Sequence, residues 1–329
     1  MVPLGLRMLR MLFCLVAVLS IQFLLPRLVP GDPVYMLLGP EAAVLSRSDI
    51  DALRKSYGLD RHWIHQYGNH WKNLLKGDLG YSFHRKQPVT TLIEEHLSRT
   101  LWMVLPAVLS AITLSLLLGT WSGWKAATLF DGIMCTLAVL SSCLPPFLLS
   151  MLLLDFFGFH LGWFSLSGFY PTSEIQNASC WSRWIDRLHH LALPVVTLTL
   201  THLAGLFLVM RNATARSRQE PFVDFALARG ISMQRVLFVH VFTAAAQPFL
   251  HTAALQLGFV VSGAVVVERV FSIPGMGTLI LDAASHRDYP LMQGCFLVLS
   301  LMVMGLNALI DTLSAWLDPR SKTTVPMAS

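Results

Sequence analysis

Histidines are the residues of this chain with the widest chemical range, because an imidazole nitrogen can bind a metal ion or carry a proton. Most fall between the first two apolar runs or just before the fourth: His62, His65, His70, His84, His96, His189 and His190. Histidines three residues apart can share a helical face and hold a metal, yet scattered surface histidines are far commoner. We therefore predict no metal site and no cofactor.

Catalytic signatures are absent from the sequence. It has no G-x-x-x-x-G-K-[ST] phosphate loop, so we do not expect the chain to hydrolyse ATP. It also lacks H-E-x-x-H and G-x-S-x-G, the signatures of common metalloproteases and hydrolases. We predict a non-catalytic protein.

Residues 224–230, Asp-Phe-Ala-Leu-Ala-Arg-Gly, form a candidate docking motif, with His240 and Pro248 following it. They lie in a polar segment between two apolar runs. A short helix that ends at a glycine would present a small protrusion to a soluble partner. Phe222, Phe225 and Ala226 have the i, i+3, i+4 spacing of one helical face, so we expect these three to pack into a partner's cleft. An amphipathic helix that rests on its own helix bundle would show a similar pattern.

The elements that position this motif are membrane helices. Apolar residues make up 54% of the chain and charged residues 13%, and the mean hydropathy is +0.57. A span needs roughly 20 apolar residues. Six stretches qualify, which predicts an all-α polytopic membrane protein: residues 8–29, 101–124, 132–157, 188–210, 249–267 and 291–313.

Basic residues predict the orientation in the bilayer. Residues 211–235 carry five arginines, and both the N-terminus and the Arg320/Lys322 tail are basic, so we place these parts in the cytoplasm. We interpret the first apolar run as an uncleaved helix. Residues 30–97 then form a small external subdomain. The net charge of +5 fits loops that face an anionic leaflet, and nucleic-acid binding is not expected.

Ionisable residues within the spans or at their ends are few: Asp155, His202, Glu268, Arg269 and Asp311. An ion-coupled carrier usually needs more. Glu268 and Arg269 form either a compensating pair or, as we favour, the outer boundary of a span.

Two further features concern the apolar runs. Asn307 and Asp311 are four residues apart and would share a helical face, where they line a path or bond to a neighbouring helix. Gly119 and Gly123 have the small-xxx-small spacing that lets another helix approach closely.

Several short stretches follow one another along the chain in a specific order. They are Pro-Gly-Asp-Pro at 30–33, Gly-Asp-Leu-Gly-Tyr-Ser at 77–82, Pro-Val at 88–89, His-Leu-Ala-Leu-Pro at 190–194, the docking motif, Phe-Ser-Ile-Pro-Gly-Met-Gly at 271–277, Arg-Asp-Tyr-Pro at 287–290, Asn307 with Asp311, and Asp-Pro-Arg at 318–320. Any one stretch is a weak signal, but their order and spacing are specific. Together they resemble the membrane-spanning permease subunits of ATP-binding-cassette importers, in the branch that takes up dipeptides, oligopeptides and nickel or nickel chelates.

The resemblance implies a coupling helix that sits in a groove of an ATPase subunit. The family motif is Glu-Ala-Ala, three residues, then Gly, so this chain has Asp for Glu and departs from the small alanine at Phe225. The positions that match the motif are Asp224, Phe225, Ala226 and Gly230, and we add His240 as a further candidate for coupling.

The resemblance also implies that the stretches at 274–277 and 287–290 line the outer mouth of the translocation path. Alternatively, they form a rigid turn between the last two helices. The candidates for the outer gate or pathway are Pro274, Gly275, Gly277, Arg287, Asp288, Asn307 and Asp311.

The implied protein is an inner-membrane permease with cytoplasmic termini and the six-helix fold of a type I importer. Its expected partners are a second permease, with a paralogue favoured, two ATPase subunits and an extracytoplasmic binding protein. The expected domains are the first helix (1–29), the external segment (30–97), the permease core (98–318) with its coupling segment (211–247), and a tail (319–329). The alternatives are an ion-coupled secondary carrier and a non-transporting membrane scaffold or receptor.

Overall fold

Helices make up most of the chain in the computed structural model, which describes residues 4–28, 46, 48, 62–82, 84–166 and 180–317. The predicted stretches at 30–33 and 318–320 lie outside these residues. In order, the elements are α1 (Leu4–Leu28), α2 (Trp63–Leu75), β1 (Tyr81–Ser82), β2 (Gln87–Pro88), α3 (Val89–Trp124), α4 (Leu129–Cys143), α5 (Pro146–Leu153) with a π-helical extension (Leu154–His160), α6 (Cys180–Arg218), α7 (Pro221–Ala228), α8 (Met233–Arg235), a π-helical turn (Val236–Val241), α9 (Phe242–Val270), α10 (Met276–Ser285) and α11 (Tyr289–Leu317).

The all-α polytopic class is confirmed. Within the described residues, four helical stretches are long and apolar enough to cross a membrane, and α4 with α5 makes a fifth if that bent pair is one span. The apolar part of α1, Leu12–Leu24, is shorter, so the predicted count of six is not fully established. The four stretches are Val89–Trp124, Ile185–Arg218, Met233–Gln256 and Tyr289–Ala308.

The third predicted span is not one continuous helix. The chain bends by 105° between Leu129–Cys143 and Pro146–His160. Pro145 and Pro146 explain the break, because a proline lacks the N–H that would continue the helix and disfavours helical backbone at the residue before it.

Gly119 and Gly123 bring α3 close to α6, as their spacing predicts. A Cβ atom added at Gly123 would lie 2.4 Å from the backbone oxygen of Arg211 and 2.7 Å from the Cβ of Thr214. At Gly119 it would lie 2.8 Å from the Cβ of Met210. Only glycine allows this helix–helix distance.

The described chain divides into two compact units. The first consists of Met1–Arg99 and Pro274–Met302, and the second of Thr100–Ile273 and Val303–Ser329. In the second unit the core lies between α3, α6 and α9. Its largest fully buried side chains include Met103 of α3, Leu198 and Met210 of α6, and Phe249 of α9.

The first unit is assembled from parts that are distant in sequence. Phe23 of α1 is 2% exposed and contacts Tyr67 of α2 edge to face, with 5.1 Å between ring centroids. A Cβ atom added at Gly294 of α11 would lie 2.5 Å from Val89 at the start of α3, so α11 packs closely on α3 here. The β1–β2 hairpin pairs Tyr81 with Pro88 and Ser82 with Gln87.

Candidate coupling helix and outer segment

The docking motif forms α7, a helix with clear start and stop signals. Pro221 occupies the first turn, where a missing N–H costs nothing. At the other end the Gly230 N–H donates to the Leu227 carbonyl (2.9 Å) and the Ile231 N–H to the Ala226 carbonyl (3.2 Å). This is a Schellman motif, and Gly230 provides its left-handed residue with a φ of +76°. A Cβ atom added there would meet no atom within 4 Å, so the backbone conformation, not space, requires glycine.

The two faces of α7 differ sharply. Phe222 and Phe225 are 40% and 64% exposed, whereas Val223 and Ala226 are buried. The buried pair packs on Trp124 at the end of α3 and on three residues of the π-helical turn, Val236, Leu237 and Val241. The expectation that Ala226 would pack into a partner's cleft together with the two phenylalanines is therefore wrong. Ala226 lies with Val223 on the adjoining side of the helix, which rests on the bundle.

Charged and polar residues complete the outer surface of α7. Asp224 is exposed, and the Arg229 guanidinium lies 5.7 Å from the Phe225 ring centroid. His240 is also exposed, on the π-helical turn whose apolar residues support α7. α7 therefore packs against the turn that leads into α9.

An ion pair with a buried carboxylate, which no sequence motif indicates, lies near the α3–α4 connection. Asp131 is 3% exposed, and its carboxylate accepts hydrogen bonds from Arg211 of α6, including Nε at 2.9 Å. It also accepts from the Ser122 hydroxyl (2.6 Å) and the Ala127 N–H (3.0 Å). The pair thus ties α3, α4 and α6 together.

Arg218 adds a second tie at the end of α6. Its guanidinium donates to the Trp124 carbonyl and lies 5.1 Å from the Trp124 ring centroid. Because Trp124 also packs on α7, the end of α6, the end of α3 and the docking helix share one contact region.

A cavity of about 340 Å³ lies between α6 and α9. Arginine, asparagine and serine side chains contribute to its wall. The lining residues are Val209, Asn212, Ala213, Arg216, Ser217, Ala244 and Pro248.

The outer-gate candidates in the first unit lie at the two ends of α10, a helix that the sequence did not predict. Gly275 precedes α10 as its N-cap, and Gly277 is buried within the first turn. The Pro274 carbonyl accepts a hydrogen bond from Arg99 (3.1 Å). The proline and glycines had suggested a turn or re-entrant segment, but helical residues follow them at once.

The Asp288 carboxylate forms hydrogen bonds with two separate segments of the first unit. Asp288 is 4% exposed and accepts from the Ser82 hydroxyl (2.5 Å), the His84 N–H (3.3 Å) and the Leu291 N–H (3.2 Å). It therefore holds the β1–β2 turn and the first turn of α11 together. Arg287 is exposed and occupies the left-handed position after α10, with a φ of 55°.

The remaining pathway candidates lie on α11. Asn307 is half-buried, and its side-chain oxygen has no hydrogen-bond partner among the described residues. Asp311 is one helical turn further along, and its side chain is outside the part that the structure describes.

Among the ionisable residues near span ends, Glu268 differs most from expectation. It is 0% exposed and accepts a hydrogen bond from Thr100 of α3 (2.6 Å), whereas Arg269 is exposed. Glu268 is therefore an internal polar contact of the second unit.

Residues 98–323 match the family described as binding-protein-dependent transport system inner membrane component. The chain belongs to this family. It is the permease subunit of an ABC importer, and the ion-coupled carrier alternative is set aside.

Full-length relatives support the assignment. The permease is 33% identical over 318 residues to the glutathione transport system permease protein GsiC of Pectobacterium atrosepticum, covering 95% of this chain and 96% of the relative. It is 33% identical to the di/tripeptide transport system permease protein DppB of Pseudomonas aeruginosa, covering 91% and 92%. It is 29% identical to the oligopeptide transport system permease protein AppB of Bacillus subtilis, covering 93% and 94%.

As an inner-membrane component, the permease crosses the membrane several times, and the family is a transport component. Its matched region contains α7 and its Schellman motif, the Asp131–Arg211 pair and the outer-gate candidates.

Proposed function

We propose that the permease forms half of a translocation path for peptides, which an extracytoplasmic binding protein delivers and two separate ATPase subunits drive inward. In this proposal α7 lies on the cytoplasmic side, as the arginine-rich segment around it favours. The second half of the path comes from another permease, with a paralogue favoured. The N- and C-termini are cytoplasmic.

The observation that carries the coupling role is the division of α7 into two faces. Phe222 and Phe225 form an exposed apolar surface at the tip of the α6–α9 connection, and exposed aromatic residues are typical anchors of protein interfaces. The adjoining buried side packs on the end of α3 and on the π-helical turn that leads into α9. A partner that moves the exposed face therefore moves these two helices.

The proposed cargo rests on the relatives. GsiC is named for glutathione, DppB for di- and tripeptides and AppB for oligopeptides. All three cargoes are peptides, so we place this permease with peptide uptake in preference to nickel or metal chelates.

The coupling role is tested by two substitutions of similar size at Gly230. Valine disfavours left-handed backbone, by about 2 kcal/mol, whereas asparagine tolerates it. We expect Gly230→Val to abolish uptake and transport-stimulated ATP hydrolysis in the assembled importer, and Gly230→Asn to retain most of both. Normal uptake with Gly230→Val would contradict the proposal, provided that insertion is normal.

The cargo is tested with the importer and its own binding protein in proteoliposomes. We expect ATP-dependent accumulation of a radiolabelled di- or tripeptide, such as trialanine, and none of free Ni²⁺. Uptake of Ni²⁺ without uptake of any peptide would overturn the peptide assignment while leaving the coupling role intact.

A further inference from the structure

One group of histidine and carboxylate side chains within the described residues has the spacing of a metal site. His84 lies on the β1–β2 turn, Asp282 lies on the last turn of α10, and His286 is the C-cap residue that follows the helix. One donor atom from each residue lies within 4.8 Å of the other two. We propose that these three residues bind a divalent transition-metal ion of the Zn²⁺ class. This inference is independent of the peptide cargo and of the coupling role of α7.

The donor set determines the kind of ion. Two imidazoles and one carboxylate suit borderline first-row ions such as Zn²⁺, Co²⁺ and Ni²⁺, whereas Mg²⁺ and Ca²⁺ prefer oxygen ligands alone. Three protein ligands leave a fourth position of a tetrahedral ion for water or an exogenous ligand. His84 and His286 are exposed and Asp282 is half-buried, so an ion can reach the group from solvent.

The His286 ring is already oriented. Its Nδ1 lies 2.9 Å from the Asp282 carbonyl oxygen and 3.3 Å from Asp282 Oδ1. Donation from Nδ1–H to that backbone carbonyl leaves Nε2 with a free lone pair. Metal-binding histidines commonly have one nitrogen held in this way.

The backbone of His84 is fixed as well. Its N–H donates to the buried carboxylate of Asp288 (3.3 Å), which also accepts from the Ser82 hydroxyl (2.5 Å). The hairpin turn is therefore anchored beside α10 before any ion arrives. The exposed His84 side chain is free of this constraint on its backbone and can turn.

The two imidazole rings must change their relative orientation to bind one ion. The His84 and His286 rings are stacked, with centroids 3.6 Å apart and an angle of 15° between planes. Imidazole lone pairs lie in the ring plane, so one ion cannot lie in both of these nearly parallel planes. Donors on one tetrahedral ion are about 3.3 Å apart. Rotation of the exposed His84 ring out of the stack brings its nitrogen toward the others.

Arg85 opposes binding and supplies a diagnostic variant. Its Nε and Nη2 donate to Asp282 Oδ2 at 3.0 and 2.7 Å. The guanidinium neutralises the carboxylate and repels a cation. Because the Arg85 side chain is 46% exposed, the effect is modest. We expect Arg85→Gln to tighten binding by roughly twofold to fivefold.

The test is titration of the full-length chain with Zn²⁺, purified with a tag that lacks histidine, and with Co²⁺ as a spectroscopic probe. We expect one site, with binding weakened at least about tenfold in His84→Ala, His286→Ala and Asp282→Asn. His65→Ala is the matched control, an exposed histidine on α2 outside the group. No binding to the native chain, or equal binding in all variants, would overturn the proposal.

A second measurement needs no substitution and so avoids misfolded variants. Diethyl pyrocarbonate modifies exposed histidines, and mass spectrometry locates the modified residues. We expect Zn²⁺ to protect His84 and His286 while His65 still reacts. Equal modification of His84 and His286 with and without Zn²⁺ would contradict the site.

Discussion

Phe225 and Ala226 are sequence neighbours with opposite environments, so substitutions there should have opposite consequences. Phe225 is 64% exposed and Ala226 is 8% exposed. Phe225→Ala should leave the thermal stability of the permease unchanged but weaken binding of the ATPase subunits by about tenfold or more, as expected for an aromatic anchor. Co-purification and a binding titration measure this loss. Unchanged ATPase binding would contradict an interface role for Phe225.

Ala226→Leu is the companion change. The larger side chain would enter the contact with Trp124 and Val236, and overpacking typically costs about 1–3 kcal/mol. We expect a lower melting temperature of the permease alone. A stability equal to that of the native chain would show that α7 does not rest on the bundle as described.

Asp288→Asn should loosen the first unit. All three groups that bond to the Asp288 carboxylate are donors, and they approach both of its oxygens. Whichever way an asparagine amide turns, its NH₂ faces a donor. We expect a loss of about 2 kcal/mol, measured as faster hydrogen exchange at residues 80–89.

Ser82→Ala is the milder control for Asp288, since it removes one donor and leaves the carboxylate intact. Its expected cost is about 1 kcal/mol. If the asparagine variant exchanged no faster than the native chain, Asp288 would not be what holds the hairpin.

At the scale of elements, the contact between α3 and α6 depends on Gly123. A methyl group there would lie 2.4 Å from a backbone oxygen, which no side-chain rotation can relieve. Gly123→Ala should therefore force the helices apart and destabilise the permease by about 1–3 kcal/mol. Thermal unfolding in detergent measures the change.

Gly132 provides the matched control on α4. A Cβ atom added there meets no atom within 4 Å, and alanine is a better helix former than glycine by up to about 1 kcal/mol. Gly132→Ala should be neutral or stabilising. Similar losses in both glycine variants would remove the packing explanation.

The stability of the second unit depends on the Asp131–Arg211 pair, which joins α3, α4 and α6. Arg211→Met would leave a buried carboxylate without its cation, and breaking a buried pair costs about 3–5 kcal/mol. We expect severe loss of stability in this variant. The double variant Asp131→Leu with Arg211→Met should recover most of it, and thermal melts of both measure the coupling. A double variant no more stable than the single one would contradict this role.

Much of the fold could be read from local patterns. Apolar stretches long enough to span a bilayer predicted the helices, because a backbone in lipid must satisfy its own hydrogen bonds. Gly119 and Gly123 predicted close packing, and Gly230 predicted a helix end. Patterns of this kind involve residues that are close in sequence, so they can be interpreted without knowledge of the fold.

Other features needed residues that are far apart in sequence. Nothing near Asp131 points to Arg211, and nothing near His84 points to Asp282 and His286. The bend at Pro145 and Pro146 is a local signal, but these prolines lie within an apolar run that hydropathy alone treats as one span. The direction of Ala226 followed from what α7 packs against, and helical spacing alone could not choose between the bundle and a partner.

The sequence by itself determined that this permease lies in a lipid bilayer, that it is helical and which family it belongs to, because hydropathy and ordered motifs are properties of the chain alone. The tertiary structure alone decided which side of α7 is exposed, that Asp131 pairs with Arg211, and that His84 lies beside Asp282 and His286. Those outcomes depend on packing between distant segments, where burial and charge pairing are properties of the assembled fold.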